Sequence, residues 1–213
     1  VTTMASTWHT VATKDVRLLK RQMNQLSELP KDYIFLNYLR CHDDIGWGLD
    51  YDWLKKFGIS EIPHKKFLND YFTGKFPDSN ARGELYNNDP RLGDARLCGT
   101  TASLCGIEAA LEDKDTDKLE KSLDCDIMLH AYMLTQSGIP VLYSGDEIGQ
   151  LNDYSYHDNP EKSVDSRYLH RGKFNWKLAE NCDDSDTVQG RIFQSILKLE
   201  KCRAENEVFR AEA

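Results

Sequence analysis

Residues 34–47 read Ile-Phe-Leu-Asn-Tyr-Leu-Arg-Cys-His-Asp-Asp-Ile-Gly-Trp. The run Ile34–Leu39 is apolar and aromatic and predicts a buried strand. It stops at a basic residue, an imidazole and two carboxylates: Arg40, His42, Asp43 and Asp44. Chemistry in barrel-type folds sits where the C-terminal end of a strand meets its following loop. A strand delivering His-Asp-Asp at that point therefore reads as part of an active site. The competing reading is a surface turn, which Asp-Ile-Gly also suits. Arg40 and Trp47 are poor turn residues and weigh against it.

Working outward, residues 12–28 place Val16, Leu19, Met23 and Leu26 at helical spacing, predicting one amphipathic helix ended by Pro30 and Asp32. After the strand the pattern breaks up over 46–97, with Tyr51–Phe57 and His64–Phe72 as short helices and Gly, Asn, Asp and Pro clustered at 72–97. Long irregular stretches inside a compact domain are usually functional, so this one is expected to be an active-site excursion. Helical periodicity returns at Thr100–Leu111 and at Leu119–Gln136, where Leu123, Ile127, His130 or Ala131, and Leu134 share one face. His130 reads as a core or groove residue rather than a ligand. Gly138 is expected to stop that helix. Ile139–Tyr143 then predicts a second buried strand, followed at once by Ser144-Gly145-Asp146-Glu147. A polar loop over 150–186 leads to a last helix carrying Val188, Ile192, Ile196 and Leu199, with Ser185 or Asp186 as its cap. Alternation of strands and helices argues for α/β architecture with parallel strands. Two strands cannot form a sheet core alone.

Composition narrows the function. The chain of 213 residues carries 27 Lys and Arg against 35 Asp and Glu, a net charge of −8 without a basic stripe. Nucleic acid is therefore not an expected partner. No apolar run approaches the ~20 residues of a membrane span, so no membrane partner is expected either. The six cysteines form no Cys-x-x-Cys pair and no metal spacing, and buried free thiols in a reducing cytoplasm are expected. No cofactor or metal is predicted. The opening residues do not read as a secretory leader, and neither end reads as a natural boundary, so a piece of a longer protein is expected.

Adjacent strand residues point to opposite faces, so Asp43 and Asp44 are not expected to form a catalytic carboxylate pair by themselves. Retaining glycosidases need carboxyls ~5–5.5 Å apart, usually from different strands. Asp146 and Glu147 meet the same objection and also suit caps. Arg96 and Arg167 lie in polar loops, where they could clamp a carboxylate or sugar hydroxyls, or be solvated.

The segment Phe35–Asp44 resembles strand seven of the (β/α)8 barrel in the α-amylase family of glycoside hydrolases, and Gly138–Glu147 resembles strand eight. The likeness sharpens to amylosucrases and related sucrose-active enzymes. It rests on His-Asp-Asp-Ile-Gly-Trp (42–47), Gly-Ile-Ser (58–60), His-Lys-Lys-Phe-Leu-Asn (64–69), Ala-Arg-Gly (81–83), Gly-Asp-Ala-Arg-Leu-Cys-Gly-Thr (93–100) and Asp-Ser-Arg-Tyr-Leu-His-Arg (165–171). Each is weak alone; six in register cover almost the whole chain.

The resemblance implies roles. Asp43 is the carboxylate that stabilises an oxocarbenium-like transition state, and His42 hydrogen-bonds the donor sugar. Arg167 forms part of the donor-subsite floor, paired with an acidic residue upstream of this chain. Asp44 and Arg96 line the donor and acceptor side. Lys65 stands where the family has an acceptor-channel arginine and lacks its planar fork. Asn87 stands for a glutamine, and Gly48-Leu49 follow Trp47 where the family has an aromatic residue. The implied fold is a partial TIM barrel: helix six and strand seven over 1–45, a loop subdomain over 46–98, and helix seven, strand eight and helix eight over 99–213.

The family nucleophile lies in a Gly-x-Arg-x-Asp context, and no Arg-x-Asp occurs in this sequence. The acid/base glutamate of strand five is also missing. The implied parent cleaves an α-glucosidic bond with retention, sucrose being the expected donor, and the chain by itself is expected to be inactive. Its expected partners are a sugar and an N-terminal part of the barrel. The alternatives are an α-amylase-like hydrolase of short α-glucans, a non-catalytic carbohydrate-binding fragment, and a helical module in which His42-Asp43-Asp44 is only a turn. The strand 34–39 and the stripe Val188, Ile192, Ile196 are expected to be exposed.

Overall fold

A computed structural model describes residues 2–30 and 32–209. In chain order the elements are α1 (Thr2–Thr13), α2 (Arg17–Ser27), β1 (Leu36–Asn37), β2 (Ile45–Gly46), α3 (Tyr51–Leu54), α4 (Glu61–Phe72), β3 (Glu84–Asp89), β4 (Asp94–Cys98), α5 (Thr101–Cys105), α6 (Ile107–Asp113), α7 (Thr116–Leu134), β5 (Ile139–Pro140), α8 (Trp176–Ala179) and α9 (Val188–Glu205). Short 3₁₀ turns fill much of the loop between β5 and α8. The architecture is a helix-rich α/β fold with one small parallel sheet, and no barrel closes among the described residues.

β1 and β5 pair in parallel, Leu36 opposite Ile139 and Asn37 opposite Pro140. Backbone bonds from Ile139 N to Phe35 O and from Val141 N to Asn37 O, both 2.8 Å, extend the ladder. Both strands are shorter than the apolar runs predicted. They are also not buried: Ile34, Leu36, Ile139 and Val141 are all exposed, while Leu39 is in the core. A two-strand sheet leaves both outer edges without strand partners, so apolar runs that would be covered in a wider sheet face solvent here. The expectation for the last helix fails in the opposite direction. Ile192 and Ile196 are fully buried in the main core with Leu123, Leu129 and Met133, and only the strand segment is exposed. The cap of α9 is Thr187, which accepts from Gly190 N at 3.0 Å, one residue after the expected cap.

The single helix expected over 12–28 is two. Lys14 adopts a left-handed backbone at φ 58°, which breaks the chain between α1 and α2. Val16 is consequently exposed, and Leu18 joins Leu19 in the buried set. The helix expected over Thr100–Leu111 also divides, at Gly106 with φ 97°, where an added Cβ would lie 2.9 Å from Asn80 Cβ. α7 ends at Leu134, four residues before Gly138. Gly138 instead turns the chain into β5 at φ 106°, close against Phe35 O. The Arg203 guanidinium from α9 donates to Leu134 O, Gln136 O and Gly138 O at 2.5–2.8 Å, satisfying carbonyls that a helix end leaves free.

The stretch 46–97 is not an irregular excursion. β4 is the centre of an antiparallel sheet in the order β2-β4-β3. The second half of the Gly, Asn, Asp and Pro cluster that suggests a loop is the β3–β4 hairpin, with Asp89 opposite Asp94 and a bulge in the ladder between Tyr86 and Asp89. β2 pairs with β4, Ile45 opposite Leu97 and Gly46 opposite Arg96. Trp47 Nε1 donates to Asn69 Oδ1 at 2.8 Å, and Asn69 Nδ2 donates to Gly93 O at 2.9 Å, fastening α4 to both ends of this sheet. Trp47 stacks on Phe72 and Trp8 meets it edge-on, with ring centres 5.6 Å apart in each contact. No disulfide forms among the described residues: Cys98 is buried, but Cys105 and Cys125 are half-buried and Cys202 is exposed, so the expectation of buried thiols holds only in part.

Candidate active site

Arg40 leaves the end of β1 and Asp146 follows the end of β5, so the parallel pairing brings together residues 106 apart in sequence. Arg40 Nε and Nη2 lie 2.9 and 2.7 Å from Asp146 Oδ1, and both side chains are 3% exposed or less. Tyr143 packs under the guanidinium at 4.5 Å. Arg40 Nη1 also reaches His170 O at 3.4 Å. Glu147 turns the other way and accepts from Gly145 N at 2.7 Å. The two adjacent carboxylates thus have separate structural partners, in line with the objection to their acting as a pair.

Above this buried bridge the segment 165–171 folds over 41–44. Arg171 Nε donates to His42 O at 2.7 Å. Asp43 Oδ1 lies 3.7 Å from Arg167 Nη1 and 3.6 Å from Arg171 Nη2, while Oδ2 lies 3.3 Å from His42 Nε2. Asp165 holds Arg167 through two bonds of 2.8 Å, which raises the guanidinium's pKa and lowers that of Asp165. The Arg167 guanidinium also rests on the Tyr86 ring at 4.9 Å. Asp44 is mostly covered, with Arg96 Nε 4.0 Å away. The Arg96 guanidinium crosses directly over Gly46, where an added Cβ would overlap it, so a glycine at 46 leaves that path open.

His42, Asp43, Asp44, Arg96 and Arg167 therefore converge on one surface, where the His42 and Asp43 side chains are 66% and 55% exposed. Lys65 has different partners. Its ammonium lies 2.6 Å from Asp94 and 2.8 Å from Glu61, at the far side of the turn that holds Gly93. Asp165 and Arg171 were not singled out from the sequence, although both sit inside the 165–171 motif. Arg40, the first residue of the polar cluster that follows the apolar run, is buried on Asp146 rather than presented at the surface with His42 and Asp43.

A carboxylate between two guanidiniums and an imidazole can accept from sugar hydroxyls and hold positive charge. The Cys41 thiol, a His42 ring nitrogen and an Asp43 oxygen lie within 4.8 Å of one another, which is within reach of a metal ion. Two guanidiniums on the same carboxylate oppose a cation there.

Histidine burial gives the chain a defined pH response. Burial, then the Arg40 charge, lowers His170 to about 4, and burial, then the His64 ring, lowers His9 to about 4. Unfolding frees both to their ordinary 6.5, so the unfolded state binds more protons between these values. Their contribution to stability should be complete above pH 6.5 and lost as pH falls towards 4. His130 runs oppositely. Burial opposes its charge, but the Asp126 carboxylate at 3.0 Å outweighs that and holds it at about 9. Its contribution should be present below pH 6.5 and lost as pH rises through 9. Urea midpoints across pH 4–10, with histidine titration by NMR, check both limbs; a His9 that titrates normally would refute the first.

No protein-family model matches the sequence. Among solved structures, sucrose 6F-phosphate phosphorylase from Thermoanaerobacter thermosaccharolyticum superposes with a TM-score of 0.59 at 19% sequence identity. The match covers 97% of this chain and 35% of the phosphorylase, so the chain spans about a third of that protein's length. The likeness is one of fold.

Proposed function

We propose that this chain supplies part of the donor-sugar pocket of a retaining, α-glucoside-active enzyme of the α-amylase family, with sucrose as donor. The observation that carries this reading is the meeting of His42 and Asp43 with Arg167 and Arg171, segments more than 120 residues apart, on one open surface. The six motifs in register and the shared fold with a phosphorylase named for a sucrose phosphate support it. Asp43 stabilises positive charge at the anomeric carbon, and His42 binds a ring hydroxyl. Arg167 shapes the pocket floor, while Asp44 and Arg96 line its rim. The nucleophile and the acid lie in an N-terminal part of the barrel, which pairs strands against the free edges of β1 and β5.

Retaining cleavage needs a carboxylate nucleophile opposite a carboxylic acid. Incubated alone with sucrose or aryl α-glucosides, the chain should release no sugar above buffer. The longer protein containing it should cleave sucrose. Sustained turnover by the chain alone, abolished in Asp43→Ala, would show a complete site here and overturn the assignment. Cleavage of maltooligosaccharides without sucrose would favour the hydrolase of short α-glucans, and sugar binding without turnover a carbohydrate-binding role.

Lys65 bears on the acceptor. Its ammonium is occupied by Glu61 and Asp94 and offers no planar fork to a glucan chain. Water should then be the main acceptor, and the longer protein should convert sucrose mostly to free glucose and fructose. Long α-glucan as the dominant product on chromatography would refute this.

A further inference from the structure

Away from the pocket, α1 and α4 bring together two histidines separated by 55 positions. His9 is 1% exposed, yet neither ring nitrogen has a hydrogen-bond partner among the described residues. The Nε2 of His64 and the hydroxyl of Tyr51 are likewise buried and unpartnered. Buried polar groups of this kind are rare and call for a ligand, an ion or a water. The two imidazole centres lie 5.1 Å apart with planes inclined at 58°, and the Tyr51 ring centre is 6.3 Å from His64.

We propose that His9 and His64 form a binding site for one divalent transition cation of the zinc type. Two imidazoles on a tetrahedral zinc, each with Zn–N of ~2.0–2.1 Å, put their ring centres roughly 5 Å apart. The observed spacing matches that arrangement. Nitrogen donors suit zinc, copper and nickel. Water completes the shell. His64 is half-buried, so an ion reaches His9 past its ring. Burial disfavours the protonated form of both imidazoles. In the competing group, Cys41-His42-Asp43, the histidine and the carboxylate are exposed and the carboxylate has two arginines beside it.

Titration calorimetry of the chain with zinc chloride at pH 7 tests the proposal. One zinc per chain is expected. The melting temperature should rise with zinc. His64→Gln, at the half-buried position, should keep the far-UV spectrum and weaken zinc binding by roughly tenfold or more. His9→Phe, which fills the same space, should also abolish the melting shift, and Cys41→Ser should leave binding unchanged. No binding by the unaltered chain up to about 1 mM zinc, or unchanged affinity in His64→Gln, would overturn the proposal. So would loss of binding in Cys41→Ser, which would assign the ion to that thiol.

Discussion

Asp43→Asn in the longer protein is expected to lower kcat on sucrose by about 10²–10³-fold or more, with a much smaller change in KM. The amide keeps the size of the side chain and removes its charge. In the proposed reaction positive charge grows at the anomeric carbon only in the transition state, so the loss falls mainly on kcat. The same substitution leaves Arg167 and Arg171 facing the donor site without the carboxylate that now lies 3.6–3.7 Å from them. Two unbalanced guanidiniums would oppose an oxocarbenium-like centre further. The fold should tolerate the change, because the Asp43 side chain is 55% exposed and Asp165 still holds Arg167. Steady-state kinetics with a thermal melt separates the effects. Near-normal kcat in a folded variant would remove Asp43 from the chemistry.

Asp146→Ala is expected to destabilise the fold by about 3–5 kcal/mol, the range for leaving one member of a buried ion pair without its partner. Arg40 and Asp146 are almost completely covered. Arg40 would keep only the 3.4 Å contact to His170 O and the face of Tyr143. The bridge joins the C-terminal ends of β1 and β5, whose ladder is only two residues long. Its loss should therefore loosen the platform beneath His42 and Asp43. The double variant Arg40→Met, Asp146→Leu should recover most of the stability, since an apolar pair of similar size avoids desolvating two charges. Urea midpoints of the three proteins decide the matter. A single variant within about 1 kcal/mol of the parent would mean that water compensates the exposed charge.

Several features were legible from local sequence because local physics decides them. α7 and α9 carry their apolar residues at helical spacing, and both form close to where that spacing ends. The buried face of Leu123 follows from the pattern, whereas Ile192 and Ile196, whose stripe is expected to be exposed, are buried only because α9 packs into the main core. The parallel pairing of β1 with β5 was legible as two apolar runs separated by helices. Other features were not. Lys14 breaks the first helix through a left-handed backbone that no propensity marks on a lysine. The β3–β4 hairpin is rich in Asn, Asp and Gly, residues that local rules assign to loops. It is a strand pair because β4 sits between β2 and β3 and packs Leu97 and Cys98 into the interior.

The candidate site divides in the same way. By itself the sequence determined that residues 42–44 are a polar cluster following an apolar run and that the chain holds no Arg-x-Asp; the association of 165–171 with them is what the resemblance implies. Residue type and spacing carry that much, since they depend only on near neighbours. Only the tertiary structure decided which charges meet. It placed Arg171 beside Arg167 on Asp43, bound Lys65 to Glu61 and Asp94, and joined Arg40 to Asp146 in the interior. It also brought His9 to His64. A charged side chain takes its function from the groups within a few ångströms of it, where the dielectric is low and the interaction strong. Those groups come from positions tens of residues apart, and their distances follow from packing rather than from any local pattern.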